Sequence, residues 1–204
     1  MTAAEYLTEE RASSTRNMLW HGEVYAMGGA SKEHNRIALN CASALNQLLS
    51  QRPCEAFVAD MRVKNFRTNS YFYPDIVATC EKTEFEDGEF DTLINPQVIV
   101  EVLSKSTETF DRGRKFADCQ LLESLKEYVL ISQDHMLVER YTRQTESTWE
   151  YWSSSTPDDN LVLHSIECQI PLSTIYAKVE FPAPDDGKEN LKVIEEKAPF
   201  LPTR

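Results

Sequence analysis

The sequence predicts an α/β fold with an αβββαβ order of core elements around a mixed central sheet, and three observations predict it. Residues 97–103 (QVIVEVL) are apolar on both alternating faces, the mark of a strand covered on both sides. Residues 71–80 (YFYPDIVATC) repeat that pattern, aromatic and β-branched with one carboxylate, Asp75, among apolar neighbours. Upstream, Ile37, Cys41, Ala44, Leu45, Leu48 and Leu49 recur at three- and four-residue spacing, the single apolar stripe of a helix over 32–51.

Taken in order, residues 2–11 predict a short helix with Thr2 as N-cap and Glu5 three positions on, a capping-box spacing. Residues 18–27 (MLWHGEVYAM) place a glycine between two β-prone pieces and predict a hairpin. Gly28-Gly29 breaks it, Ser31 caps the long helix, and Arg52-Pro53 ends that helix. Residues 54–58 and 61–66 are two β-like pieces or one bent strand. Pro74 confines the next strand to begin beside Asp75. The acidic stretch 81–91 predicts a solvated loop before the 97–103 strand. Thr107 or Thr109 caps a helix to about residue 124, on which Asp111, Lys115 and Cys119 share one face. A buried strand at 127–132 follows, then an antiparallel pair at 136–142 and 147–152, short strands within 161–170 and a short helix from Pro171. The expected organisation is one domain over 1–180 and a flexible tail over 181–204, rich in proline and charge.

Composition narrows the function. Five cysteines and four histidines are scattered, which argues against a disulfide framework and a His/Cys zinc site. The amino terminus has no signal pattern and no apolar run is long enough to span a bilayer, so the expectation is a cytoplasmic protein without a membrane partner. A net charge of −12 opposes tight nonspecific nucleic-acid binding, although a local basic patch or bound metal can still draw in a phosphodiester.

The chemistry starts from Glu101. A carboxylate inside a buried strand must be protonated, paired or bound to a metal. If the strands carrying Asp75 and Glu101 are neighbours, the two acids converge, and hard cations such as Mg²⁺ are held by one or two carboxylates with water and phosphate completing the shell. The competing explanation is a structural ion pair across the sheet. Asp111 and Lys115 are an ordinary surface pair or a face that delivers Lys115 to the acids. Glu33 and His34 are helix-start electrostatics or accessory groups facing the site.

The ordered motifs His-Gly-Glu-Val-Tyr-Ala-Met at 21–27, Tyr-Pro-Asp at 73–75, Val-Glu-Val-Leu-Ser-Lys-Ser-Thr at 100–107, Asp-Arg-Gly-Arg-Lys-Phe at 111–116 and Glu-Tyr-Val-Leu at 127–130 carry a resemblance. Over roughly residues 5–178 the chain resembles the Uma-two family of proposed restriction endonucleases, within the PD-(D/E)XK nuclease-like superfamily. The resemblance implies a restriction-endonuclease-like core and a Mg²⁺- or Mn²⁺-dependent endodeoxyribonuclease acting on DNA. It implies Asp75 and Glu101 as metal ligands with the Val102 carbonyl, and Lys115 as the catalytic lysine. The superfamily lysine two residues after the second acid is replaced here by Leu103, and Cys119 stands where many relatives have tyrosine. The alternative is a catalytically silent nuclease-fold module for binding or assembly. RNA or branched DNA is a third substrate class, and a homodimer would bring two sites to two strands.

Overall fold

The computed structural model describes residues 1–181, so the expected 181–204 tail lies outside the described residues apart from Phe181. Helix α1 (Ala3–Ala12) starts with the expected capping box, Thr2 accepting from the Glu5 backbone and Glu5 from that of Thr2. Strands β1 (Asn17–Trp20) and β2 (Glu23–Ala26) form the expected hairpin, turning through His21 and Gly22, both at positive φ. Helix α2 (Lys32–Leu49) is capped by Ser31, whose hydroxyl accepts from the His34 backbone at 3.0 Å.

The pieces at 54–66 resolve into two strands of different sheets. Strand β3 (Glu55–Val58) pairs antiparallel with β6 (Ile76–Thr79), whereas β4 (Arg62–Asn65) pairs with β5 (Ser70–Phe72) and with short β7 (Thr92–Leu93). Strand β8 (Val98–Leu103) is buried along its whole length, antiparallel to β6 and parallel to β9 (Glu127–Ser132). The β8-to-β9 crossover carries α3 (Glu108–Phe110), a π-helical turn (Asp111–Lys115) and α4 (Phe116–Cys119). Strands β10 (Val138–Arg143) and β11 (Trp149–Ser154) extend the sheet, which runs β11-β10-β9-β8-β6-β3. A second sheet runs β2-β1-β5-β4-β7, and β12 (Asn160–Leu163), β13 (Cys168–Pro171) and α5 (Leu172–Ile175) complete the chain. The expected α/β class and αβββαβ core are the fold observed.

The pleat of β8 divides the core. Val98, Val100 and Val102 pack with α2, α5 and the β12–β13 hairpin, while Ile99 and Leu103 pack with Val63, Phe72, Cys119 and Leu122. Glu101 shares the second face and points toward the crossover helix.

Three expectations change. The crossover helix ends at Cys119 rather than near residue 124, because the chain turns through 120–125 and Arg143 donates to the carbonyls of Gln120, Leu122 and Leu125. The acidic 81–91 stretch is a docking segment as well as a loop: Glu86 takes Lys64 and the Tyr71 hydroxyl, and Asp91 takes Arg11 and Arg62. Cys54 and Cys80, 26 residues apart, close a disulfide, because the β3–β6 register continued by one residue sets them opposite each other. Cys41, Cys119 and Cys168 are free and buried.

Two stability outcomes follow from these contacts. Ile99→Ala removes a fully buried side chain at the sheet centre and is expected to cost about 2–5 kcal/mol in urea denaturation, against under about 0.5 kcal/mol for exposed Leu39→Ala. The Arg11 guanidinium, with Arg62 behind it, holds the Asp91 carboxyl well below the usual carboxylate range. A depressed folded value contributes stability above the unfolded value of about 3.9 that is lost as pH falls toward the folded one. Asp91→Asn is therefore expected to lower the melting temperature at pH 7, with the difference from wild type shrinking steadily below about pH 4.

Candidate active site

The site is a consequence of sheet register. Ile76 pairs with Val100 across β6 and β8, and one further residue along the same line brings Asp75 beside Glu101, near enough for its charge to act on that carboxyl. Asp75 lies just before β6, where Pro74 leaves the ladder, and its Oδ2 accepts from the Val102 backbone N–H at 2.7 Å. Like charges placed close together on neighbouring strands repel, so the pair requires positive charge nearby.

The crossover helix supplies it. Lys115 Nζ stands 2.7 Å from Glu101 Oε1 and 3.4 Å from Asp111 Oδ1, with all three side chains at most 7% exposed. The π-helical turn from Asp111 to Lys115 carries both groups toward the strand ends, and the Tyr128 hydroxyl on β9 fixes the turn by donating to the Asp111 carbonyl at 3.0 Å. Beyond the Lys115 contact, Glu101 Oε1 is sealed from solvent and has no hydrogen-bond donor among the described residues. Burial pushes the Glu101 carboxyl up to about 8, with Lys115 opposing and Asp111 and Asp75 adding to the rise. Burial would lower the Lys115 ammonium, but Glu101 and Asp111 outweigh it and hold the group charged.

From the other side, α2 presents His34, whose Nε2 is 3.3 Å from Asp75 Oδ2. Burial opposes protonation of this imidazole, and Asp75 and the Val102 backbone more than offset it, raising its pKa. Its Nδ1 is buried without a hydrogen-bond partner among the described residues.

These groups open on a cleft of about 480 Å³, walled by the Met27–Ser31 segment, by Ser104–Thr107, and by Tyr73, Phe110 and Gln133. Of the residues singled out from sequence, Asp75, Glu101, Val102, Asp111, Lys115 and His34 all line it. Glu33 does not: its side chain lines an adjoining hollow with Asp134 and Glu180, because residues 33 and 34 point to different sides of one helix turn. Leu103 faces the apolar layer and cannot substitute for Lys115. Cys119 is fully buried one turn below Lys115, and burial raises its thiol well above the ordinary value, so it offers packing rather than the polar support of a tyrosine hydroxyl. Sequence reading missed the glycine-bearing wall at 27–31 as part of the cleft; the Gly28-Gly29 break was the available signal.

The donors suit a hard divalent cation. Asp75, Glu101 and Asp111 outnumber Lys115, and a buried carboxylate oxygen lacks a second donor. Among the described residues no three His, Cys, Asp or Glu side chains form a metal cage by themselves, so water, the Val102 carbonyl and phosphate oxygens would have to complete the shell.

A family model covers the region that builds the site, and known proteins resemble this chain. The Uma2 family model, described as "Putative restriction endonuclease", matches residues 3–173. The uncharacterized protein sll1609 of Synechocystis sp. (strain ATCC 27184 / PCC 6803 / Kazusa) is 37% identical over 149 residues, 73% of this chain and 84% of that protein. A second uncharacterized protein of the same strain, slr1290, is 30% identical over 184 residues, 89% of this chain and 94% of its own length. The fold matches the crystal structure of "a putative nuclease belonging to DUF820" from Anabaena variabilis ATCC 29413, with TM-score 0.70, 19% identity, and coverage of 86% of this chain and 97% of that one. Among the described residues no helix is long and apolar enough to cross a membrane.

Removing Lys115 should expose how the cluster is held. In EDTA, Lys115→Met is expected to lower stability by about 1–3 kcal/mol at pH 7, where Glu101 protonates, and by more above about pH 8, since it leaves buried acids unpaired. Adding Glu101→Gln should recover part of that loss in the same urea titration. A double variant no more stable than Lys115→Met would mean that the ion pair does not govern the cluster.

Proposed function

This chain belongs to the Uma2 family, and from that premise we propose that it is a divalent-metal-dependent endonuclease that hydrolyses phosphodiester bonds in DNA. The observation that carries the reading is the adjacent pair Asp75 and Glu101 with Lys115 held 2.7 Å from Glu101, all at the wall of one open cleft.

A Mg²⁺ or Mn²⁺ ion bound by Asp75, Glu101 and the Val102 carbonyl would supply Lewis-acid charge to the scissile phosphate and lower the pKa of a bound water. The chain's own groups then have separate tasks. Asp75 is oriented by the Val102 N–H and by His34, so its carboxylate is fixed before substrate arrives. Lys115 keeps Glu101 in place and stands at the wall of the cleft, where it would act on the scissile phosphate alone, since Glu101 and Asp111 already take up its charge and leave none for the flanking backbone. Asp111 shares Lys115 and holds it toward the strand ends. Leu103 explains why the lysine comes from the helix: the strand position that would carry it is committed to the apolar layer.

The competing reading is a nuclease-fold module that binds without cutting, and the net charge of −12 favours it. Cleavage of supercoiled plasmid and single-stranded DNA with Mg²⁺, Mn²⁺ or EDTA separates the two. Metal-dependent cleavage is expected in the wild type and should fall by at least about 100-fold in Asp75→Ala, Glu101→Gln and Lys115→Met, since each removes a group acting on the transition state. Mn²⁺ is expected to raise the melting temperature of the wild type and not of Asp75→Ala. Cleavage that survives in both acid variants sinks the assignment, and a wild type that neither cuts nor responds to Mn²⁺ leaves the noncatalytic module.

A further inference from the structure

The cleft must accept a polyanion in a protein of net charge −12, and its wall holds little positive charge to do so. Two lysines line it, Lys105 and Lys115. Lys115 is committed to Glu101 and Asp111. Nearby Arg112 is equally committed, paired with Glu108 and Glu139. Lys105 is exposed and makes no ion pair among the described residues.

Its setting is specific. Lys105 lies two residues past the end of β8, four residues after Glu101, in a turn whose hydroxyls face one another: Ser104 Oγ is 3.0 Å from Ser106 Oγ and 2.9 Å from Thr107 Oγ1. All four residues line the cleft. Lys105 also stands where the cleft meets the adjoining hollow of about 460 Å³, whose other charged walls are Glu33, Asp134 and Glu180. A phosphate chain would be repelled beyond that point, so Lys105 marks the boundary of the surface a nucleic-acid backbone can occupy.

We propose that the Ser104–Thr107 turn is a backbone-phosphate subsite, with Lys105 as its cation and the three hydroxyls as adaptable donors, and that it grips the substrate strand next to the scissile bond. This rests on the nuclease reading of the cleft. Hydroxyl and ammonium donors suit phosphate oxygens and carry no base information, so the subsite sets position on the strand and not sequence. Lys105 is a positioning residue, and its contribution should appear in binding more than in the chemical step.

The test measures binding of short single-stranded and duplex DNA across a salt series, with Ca²⁺ in place of the catalytic ion, and cleavage kinetics with Mn²⁺. Lys105→Ala is compared with Lys105→Arg and with Lys126→Ala, an exposed lysine at the opposite ends of β8 and β9. Lys105→Ala is expected to weaken binding about tenfold, the scale of one lost charge-assisted contact. The slope of log affinity against log salt should shallow by about 0.7 on single strands or 0.9 on duplex. KM should rise with kcat nearly unchanged, and Lys105→Arg should restore most of the affinity, while Lys126→Ala matches the wild type. An oligonucleotide with uncharged methylphosphonate linkages should bind wild type and Lys105→Ala alike. Wild-type cleavage with an unchanged salt slope in Lys105→Ala overturns the subsite and leaves the nuclease standing. A wild type that binds and cuts no DNA overturns both.

Discussion

Everything at the candidate site depends on one pairing, that of β6 with β8. Antiparallel register brings a residue just before one strand beside a residue in the middle of the other, and here both are acids. The fold accepts two adjacent carboxylates because three elements converge to compensate them: the crossover helix brings Lys115, the β8 backbone donates the Val102 N–H, and α2 brings His34. A buried charge network of this kind contributes little net stability, since desolvation offsets much of the attraction. Its place in the middle of an otherwise apolar sheet, at the wall of an open cleft, is the physical ground on which the proposed function rests.

The apolar layers are what keep these groups in place. Val98, Val100 and Val102 seat β8 on α2, and Ile99 and Leu103 seat it on the second sheet and the crossover helix. With both faces packed, the strand has no freedom to slip, and a one-residue slip would turn Glu101 away from Lys115. The π-helical turn achieves on the helix what register achieves on the sheet, bringing Asp111 and Lys115 together at the ends of the strands. The second sheet is anchored separately by a polar network, in which Glu10 accepts from Tyr73 and Asn17, and Arg62 joins Asp91 to Tyr73. Tyr73 is both part of that network and a wall of the cleft, so the N-terminal layer supports the approach to Asp75.

Much of this was legible in the chain itself. Periodicity marked α2, β8 and β9, and Thr2, Ser31 and Gly22 marked a capping box, a cap and a hairpin turn, because these signals are local and act through backbone geometry within a few residues. The anomaly of a carboxylate inside an apolar run singled out Glu101, and the spacing of Asp111 and Lys115 placed both on one helix face. Those are properties of composition and period, which need no knowledge of what lies across the sheet.

The tertiary structure decided what depends on contacts far apart in sequence. It joined Cys54 to Cys80, because register rather than spacing makes cysteines neighbours. It sent Glu33 to the hollow beyond the cleft and His34 to Asp75, a choice fixed by how α2 rotates against the sheet. It folded the acidic 81–91 stretch onto Arg11, Arg62 and Lys64, cations drawn from α1 and β4. The sequence by itself determined which residues are anomalous, since an apolar strand with a charge in it is unusual wherever it folds; only packing decided which anomalies meet, since the cost of burying each charge is met by partners that periodicity cannot identify.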